Sequence, residues 1–276
     1  MTLHSRIRCA VVGNPIAHSR SPQIHSEFAK QFNLPLHYDR ILADHNDFTD
    51  HVRGFFAQGG KGLNITVPFK ELAFEMAQVR SPRAELAGAV NTLWMHDQVL
   101  HGWNTDGVGL LNDLIRLGFD PKGKHVLLIG AGGAAKGVAL PLLEASPSQL
   151  RIINRTATKA HELAEQLQAQ PGAQHTQLES GDLSHTQGTW EIVINATSTG
   201  LAQQSPIEQA LTFNPYSLAY DMVYGNEPTA FLKQSQQAGA SLCADGFGML
   251  VGQAAESFYI WHGHKPTLDP LLKILR

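Results

Sequence analysis

Polar residues that could carry out acid–base or binding chemistry follow apolar segments at three places in the first half of the chain. Lys70 comes after the mostly apolar segment 64–69, a setting that can partly desolvate its ammonium group and so suit it to proton transfer. Asp106 ends the run Trp-Asn-Thr-Asp, and Ser19 and Ser21 precede a segment with helical periodicity. Lysine and aspartate also commonly open helices, and serines cap them. The residues alone leave both interpretations open.

A glycine-rich turn lies further along the chain. The apolar run 126–129 leads directly into Gly130-Ala131-Gly132-Gly133-Ala134-Ala135. A buried strand, a tight glycine turn and a helix N-terminus form a site for a pyrophosphate, although such a turn can also simply connect a strand to a helix. The flanking strand and helix patterns favour a dinucleotide site.

The next predicted strand bears on the choice of cofactor. An NAD site usually offers a carboxylate about twenty residues past the glycines. This chain offers Asn154, Arg155 and Thr156 there, with Lys159 one turn further on. Arg155 can clamp a 2′-phosphate with charge-assisted hydrogen bonds, which favours NADP, unless these cations are only solvated side chains at a strand end. The polar run 195–200 after a later strand either contacts the cofactor or forms a turn.

Short β-rich segments alternate with helix-length segments along the whole chain. The predicted strands are 7–12, 36–41, 62–67, 90–94, 99–101, 126–129, 150–153, 191–195 and 218–222. The predicted helices are 22–32, 47–58, 70–79, 105–117, 134–144, 158–170, 229–239 and 249–261. This alternation predicts an α/β fold with mostly parallel sheets, in two α/β domains that divide near residue 105.

Composition excludes several other classes of protein. The net charge of −3 gives no overall basic surface for nucleic acid, and the apolar stretch 126–143 is too interrupted by glycine to span a membrane. The N-terminus has arginines where a signal peptide needs an apolar run, so we expect a cytoplasmic protein. Cys9 and Cys243 fit buried thiols better than a disulfide. His262 and His264 have no carboxylate or cysteine partner at metal-ligand spacing, so no metal is predicted.

Nine short segments together resemble the NADP-dependent shikimate dehydrogenase family, in the family's order. They are 13–22 (GNPIAHSRSP), 64–70 (NITVPFK), 87–92 (AGAVNT), 104–107 (NTDG), 130–134 (GAGGA), 154–156 (NRT), 195–198 (NATS), 220–224 (YDMVY) and 245–253 (DGFGMLVGQ). The resemblance implies reversible, NADPH-dependent reduction of 3-dehydroshikimate to shikimate, a step of aromatic amino-acid biosynthesis. It also implies a Rossmann-type NADP-binding domain at 106–246, and a substrate-binding domain made of 1–105 with 247–276.

The resemblance also implies roles for individual residues. Lys70 matches the catalytic lysine, with Asp106 as its partner. The substrate-side positions are Ser19 and Ser21 for the carboxylate, Thr66, Asn91, Asp106 and Gln253 for hydroxyls, and Tyr224. The cofactor positions are Gly130, Ala131, Gly132, Gly133, Ala134, Asn154, Arg155, Thr156, Lys159, Thr197, Met222 and Gly246. Lys159 departs from the more usual arginine, which weakens the expected phosphate clamp, since lysine cannot bind bidentately. Ala230 replaces a more usual proline and affects only a turn.

Two alternatives compete with this interpretation. A broad-specificity quinate/shikimate dehydrogenase would need a roomier carboxylate pocket, because quinate carries an extra ring hydroxyl, and Ser19 and Ser21 favour shikimate. A non-catalytic NADP-binding sensor would be favoured if Lys70 or Asp106 were missing, and both are present. We expect a small-molecule enzyme that acts as a monomer or a homodimer, with no nucleic-acid or membrane partner.

Overall fold

The computed structural model describes residues 6–199, 204–209 and 211–275. The chain divides into two compact units. Unit 1 is Met1–Thr105 with Val251–Arg276, and unit 2 is Asp106–Leu250. The second boundary therefore falls inside the helix Phe247–His262, four residues beyond the position 247 given by the sequence.

Unit 1 contains a six-stranded sheet in the order β2-β1-β3-β5-β6-β4. Its strands are β1 (Ile7–Gly13), β2 (Leu36–Leu42), β3 (Gly62–Ile65), β4 (Val79–Arg80), β5 (Thr92–His96) and β6 (Val99–Trp103). Its helices before the boundary are α1 (Ser21–Gln31), α2 (Phe48–Ala57), α3 (Lys70–Met76) and α4 (Pro82–Ala87). The pairs β1–β2, β1–β3 and β4–β6 are parallel, whereas β5 runs antiparallel to both of its neighbours. The sheet is thus mostly parallel, as predicted.

Unit 2 contains a parallel six-stranded sheet in the order β12-β11-β10-β7-β8-β9. Its strands are β7 (His125–Ile129), β8 (Gln149–Ile153), β9 (Gln177–Gly181), β10 (Thr189–Asn195), β11 (Thr212–Asp221) and β12 (Leu242–Asp245). Its helices are α5 (Asp106–Arg116), α6 (Gly133–Glu144), α7 (Ala157–Gln168) and α8 (Ala230–Gln237), with a 3₁₀ turn at Ala173–His175. Counted from β7, the order is 3-2-1-4-5-6, that of a doubly wound dinucleotide-binding sheet.

Two C-terminal helices follow, α9 (Phe247–His262) and α10 (Asp269–Ile274). Each unit packs its own core. In unit 1 Phe48, Leu63 and Phe69 are fully buried, with the Phe48 and Phe69 rings stacked at 4.7 Å. In unit 2 Trp190 and Phe231 are buried to the same degree. Large aromatic side chains of this kind supply much of the apolar area that a core removes from water.

Several predicted boundaries are wrong. The strand 62–67 ends at Ile65, and the helix 70–79 ends at Met76, because Val79 pairs with β6 in a short strand. The strand 90–94 lies at Thr92–His96, and 218–222 is the end of the longer β11. The remaining predicted elements differ from the observed ones by one or two residues at an end. Helices α4 and α10 and the strands β4, β9 and β12 had no predicted counterpart.

Two further sequence expectations concern cysteines and membranes. Both cysteines are free; Cys9 is buried as expected, but Cys243 is only half-buried. Among the described residues, no helix combines the length and the apolar character needed to cross a bilayer.

Candidate active site

Unit 1 gathers several predicted substrate residues where its strands end. The amide N–H of Thr66, just past β3, donates to the carbonyl of Val12 at 3.0 Å. The Ile65 amide donates to the Asn91 carbonyl at 2.8 Å, and the Val90 amide donates to the Lys70 carbonyl at 2.9 Å. These backbone bonds hold the start of α3, which carries Lys70, beside the segment that carries Asn91. Thr66, Lys70 and Asn91 therefore lie near the same end of the neighbouring strands β3 and β5.

The two serines predicted to bind a carboxylate lie side by side at the start of α1, which begins at Ser21. Their hydroxyl oxygens are 3.2 Å apart, and the Ser21 amide contacts the Ser19 hydroxyl oxygen at 3.3 Å. The helix N-cap position is Arg20, whose side chain makes no capping hydrogen bond. The Ser19 carbonyl accepts two hydrogen bonds from the Arg40 guanidinium, at 2.7 and 3.0 Å, so the loop is tied to β2.

Asn91 sits at the centre of a buried polar network. Its Oδ1 accepts from the Thr105 amide at 2.9 Å, the Thr105 hydroxyl at 3.1 Å and the Thr92 hydroxyl at 2.9 Å. Beneath Thr92 lie Asn64 and Ser257, the latter from α9. Ser257 also bonds to the carbonyl of Gln253, which places the predicted substrate residue Gln253 one helical turn from this network.

His25 is buried next to the same network, with neither ring nitrogen hydrogen-bonded within the described residues. Its ring stacks on Tyr38 at 4.3 Å and on Trp261 at 5.5 Å. Burial lowers the pKa of His25 to about 3, and a repulsion from His262 adds to that effect. His25 is therefore neutral at physiological pH.

The glycine turn of unit 2 has the conformation that a dinucleotide site requires. Gly130 has a φ of +115°, a region that L side chains rarely adopt, and its amide donates to the Ile153 carbonyl at 2.7 Å. A Cβ on Gly132 or Gly133 would meet nothing within 4 Å, so both face open space. Helix α6 begins here with no side-chain cap, and its exposed first-turn N–H groups suit an anion.

The residues predicted to select the cofactor follow β8. Arg155, Thr156 and Lys159 are exposed, and Asn154 is half-buried with its side-chain amide donating to the Thr156 carbonyl at 3.0 Å. No salt bridge within the described residues involves Arg155. The side chains of Arg155 and Lys159 are thus exposed to solvent after β8, the strand that pairs with β7 next to the glycine turn.

A second polar network joins the ends of β10 and β11. The buried Asp221 carboxylate accepts from the Asn195 side chain at 3.1 Å, the Thr229 hydroxyl at 2.6 Å and the Val223 amide at 3.0 Å. Asn195 in turn accepts from the amide and hydroxyl of Thr197, at 3.0 and 2.7 Å. Burial raises the pKa of Asp221, and these hydrogen bonds oppose the shift. The network fixes the loop that carries Thr197.

The remaining predicted positions of unit 2 lie near these strand ends. The Met222 amide donates to the Asn195 carbonyl at 2.9 Å. A Cβ on Gly246 would overlap the Met222 carbonyl, so only glycine allows this approach. Tyr224 is exposed, with its ring 6.0 Å from that of Phe247. Asp106 is half-buried and is the first residue of α5.

The sequence analysis assigned no role to several residues of these networks, among them Asn64, Asp221 and Ser257. Asn64 and Asp221 lay within quoted motifs, and Ser257 lay outside all of them. One signal was available for Ser257, since a serine four positions after Gln253 shares its helical face in a mostly apolar segment. Within the described residues, no group of three histidine, cysteine, aspartate or glutamate side chains could hold a metal ion.

Three family models match the chain. They are described as the shikimate dehydrogenase substrate binding domain over residues 11–93, shikimate / quinate 5-dehydrogenase over 114–215, and the shikimate 5'-dehydrogenase C-terminal domain over 246–276. A protein of Bordetella avium named shikimate dehydrogenase (NADP(+)) is 53% identical over 270 residues, which cover 98% of this chain and 95% of that protein. The chain belongs to the shikimate dehydrogenase family.

Solved structures agree with this family membership. The shikimate 5-dehydrogenase of Thermus thermophilus, in complex with NADP(H) and shikimate, has a TM-score of 0.84 and 31% identity, covering 97% of each chain. An Ael1 enzyme of Pseudomonas putida has a TM-score of 0.90 and 41% identity, covering 98% of each chain. The two-domain α/β architecture of the shikimate dehydrogenase family thus extends over nearly the whole of this chain.

Proposed function

We propose that this chain is an NADP-dependent shikimate dehydrogenase that catalyses the reversible reduction of 3-dehydroshikimate to shikimate. The observation that carries the proposal is the 53% identity to the Bordetella avium enzyme over 98% of the chain. The neutral amide and hydroxyl groups at the strand ends of unit 1 support it, because a polyhydroxylated ring is recognised by groups of this kind.

The residues of unit 2 fit NADP. The open space over Gly132 and Gly133 leaves room for a pyrophosphate at the N-terminus of α6. The exposed guanidinium of Arg155 suits a 2′-phosphate, with Asn154, Thr156 and Lys159 around it. Ala131 and Ala134 line the same turn, and Thr197, Met222 and Gly246 are proposed to contact the nicotinamide end. When bound, NADPH supplies the hydride.

The substrate is held, in this proposal, by its carboxylate and its hydroxyls. The adjacent Ser19 and Ser21 hydroxyls donate to the carboxylate, helped by the start of α1. Thr66, Asn91 and Gln253 bind ring hydroxyls, and Tyr224 adds a further contact. Several weak neutral bonds of this kind orient the ring, so that the reacting carbonyl has one position.

Lys70 and Asp106 are proposed as the catalytic pair. As the carbonyl carbon is reduced, negative charge develops on its oxygen, and the Lys70 ammonium stabilises that charge and donates a proton to it. In the oxidation direction the neutral amine takes the proton from the shikimate hydroxyl. Asp106 is proposed to bind the same hydroxyl through its carboxylate.

A broad-specificity shikimate and quinate dehydrogenase is the second candidate. It is favoured by the description of the family model over residues 114–215, which names both activities. The close spacing of Ser19 and Ser21 supports shikimate, since quinate places an extra hydroxyl on the carbon that bears the carboxylate.

The deciding experiment follows reduced nicotinamide absorbance with shikimate or quinate, each combined with NADP⁺ or NAD⁺. We expect kcat/KM for shikimate with NADP⁺ to exceed that of every other combination by at least about tenfold, the discrimination of a site that bonds each polar group. Comparable activity with quinate would establish the second candidate, and no activity with either substrate would refute both.

The same proposal extends to the organisation of the chain. Residues 1–105 with 247–276 are proposed as the substrate-binding domain, and 106–246 as the NADP-binding domain. We propose a cytosolic enzyme that acts as a monomer or a homodimer. Light scattering of the purified protein would distinguish these assemblies, and a larger particle would contradict both.

A further inference from the structure

The orientation of the Asn91 side-chain amide is fixed by chemistry. A backbone N–H can only donate, so the atom that faces the Thr105 amide at 2.9 Å must be the oxygen of Asn91. The hydroxyls of Thr105 and Thr92 reach the same oxygen at 3.1 and 2.9 Å. The Nδ2 end of Asn91 therefore points away from both threonines.

A second layer of side chains lies beneath Thr92. The Thr92 hydroxyl is 2.8 Å from the Ser257 hydroxyl, which accepts from the Asn64 side-chain amide at 2.9 Å. Asn64 accepts from the Tyr38 hydroxyl at 2.7 Å. Thr92 and Ser257 have no solvent exposure, so water cannot replace these partners.

Counting protons gives this network a direction. Thr92 has a single hydroxyl proton, and that proton is used when Thr92 donates to the side-chain oxygen of Asn91. The Thr92 oxygen then accepts from Ser257 at 2.8 Å, a shorter contact than the 3.1 Å from the Ser257 hydroxyl to the Gln253 carbonyl, the other acceptor for its one proton. The Ser257 oxygen accepts in turn from the Asn64 N–H at 2.9 Å. Asn64 is oriented by Tyr38, since the phenol donates to its oxygen. In this arrangement the Ser257 and Thr92 hydroxyls both donate in the direction of the Asn91 side chain.

We propose that Ser257 is a positioning residue for substrate binding, which acts through Thr92 to hold the Asn91 amide with its N–H groups toward a substrate hydroxyl. The proposal rests on the proposed function for the identity of the substrate. It gives helix α9 a second role, besides that proposed for Gln253, in a site built mainly by residues before position 106. None of the network residues carries a charge, so this effect is not expected to vary between about pH 6 and pH 9.

The first test compares Ser257→Ala with Ser257→Cys, which keeps a weak donor of similar size. We expect Ser257→Ala to raise the KM for shikimate about 3- to 10-fold, the effect of one lost hydrogen bond, with the KM for NADP⁺ unchanged. The shikimate KM of Ser257→Cys should lie between those of the wild type and Ser257→Ala. Ser235→Ala, which truncates another buried helical serine, controls for a general loss of stability. An unchanged shikimate KM in Ser257→Ala would overturn the proposal.

A double-mutant cycle tests the route through Thr92. Thr92→Val removes the connecting hydroxyl at nearly constant volume, so adding Ser257→Ala to it should change the shikimate KM by less than about twofold. If the effects of the two substitutions on the shikimate KM are additive, Ser257 does not act through Thr92.

A spectroscopic readout separates this inference from the proposed function. The side-chain amide signal of Asn91 in a ¹⁵N spectrum, assigned by its loss in Asn91→Ser, should shift in Ser257→Ala and stay in place in Ser235→Ala. This holds even if the wild-type protein oxidises no shikimate, whereas an unmoved signal would refute the positioning role alone.

Discussion

Among the described residues of unit 1 the buried polar side chains at the strand ends are all neutral, whereas in unit 2 a carboxylate, Asp221, lies at the centre of a comparable network. Asn91 is held by hydroxyl and backbone donors, and His25 beside that network stays uncharged. Asp221 instead accepts from three donors, which lie in β10, at the N-cap of α8 and in its own loop. The first arrangement orients a donor, and the second ties chain segments together around a charge.

The difference follows from what each network has to do. A buried charge is costly unless it is hydrogen-bonded, but once satisfied it binds several donors strongly. Such a centre suits the loop of Thr197, which needs anchoring. The direction of the Asn91 side-chain amide is fixed by neutral donors alone, without the cost of burying a charge. The following predictions test this contrast, beginning with the largest effect.

Lys70→Ala separates the catalytic contribution of unit 1 from cofactor binding. We expect kcat to fall by roughly 10²- to 10⁴-fold, the usual contribution of a positioned acid–base group, with the Kd for NADPH nearly unchanged. Steady-state kinetics and a fluorescence titration measure the two quantities. Lys61→Ala, at an exposed lysine of the same unit, is the control. Turnover like that of the wild type would remove Lys70 from the mechanism.

Arg155→Ala is the corresponding test in unit 2. Loss of charge-assisted bonds to a 2′-phosphate should raise the KM for NADP⁺ by about 10- to 100-fold and leave the shikimate KM nearly constant. The control is Lys122→Ala, at another exposed cation of that unit. If the two Michaelis constants rise together, the phosphate assignment is wrong.

Asp221→Asn tests whether the charged centre anchors the loop after β10. An amide there turns N–H groups toward the donors of Asn195 and Thr229, so the free energy of unfolding should fall by about 1–3 kcal/mol. The KM for NADP⁺ should also rise more than that for shikimate. Chemical denaturation measures the first effect, with exposed Glu227→Gln as control. A stability equal to the wild type would mean that the charge is dispensable.

His25 should make unit 1 sensitive to acid, because its folded form resists protonation. The pKa of His25 is lowered from 6.5 to about 3, so between these values the unfolded chain binds a proton that the folded protein does not. His25 should therefore reduce the free energy of unfolding by up to about 1.4 kcal/mol for each pH unit of acidification in that range. Denaturation at several pH values should give a shallower slope for His25→Phe. His262, whose pKa burial lowers to about 4, remains in the variant, so some slope persists. Equal slopes would contradict the neutral, buried state of His25.

Ser19→Ala should have the smallest effect, because Ser21 remains beside it. We expect the shikimate KM to rise about 3- to 10-fold. One hydrogen bond to the carboxylate is lost, and the hydroxyl of Ser21 partly compensates for it. Ser26→Ala, at an exposed serine of α1, is the control. An unchanged KM would exclude Ser19 from carboxylate binding.

The sequence by itself determined the α/β alternation, the strand–glycine–helix motif around Gly130, and the order of the family's motifs. These are local signals. A turn that needs a positive φ, or an apolar face that repeats with a fixed period, is determined by the types of residues close together in the sequence. The same signals located β7 and α6 to within one residue at each end.

Only the tertiary structure decided the antiparallel setting of β5 and the partners of Asn91 and Asp221. Asn64 and Ser257 meet across 193 positions of sequence, and Asn195 and Asp221 across 26. No periodicity records such a pairing, because each side chain finds its partner only after the strands and helices have packed. A serine in an apolar helix remains ambiguous until the fold shows which donors and acceptors surround it.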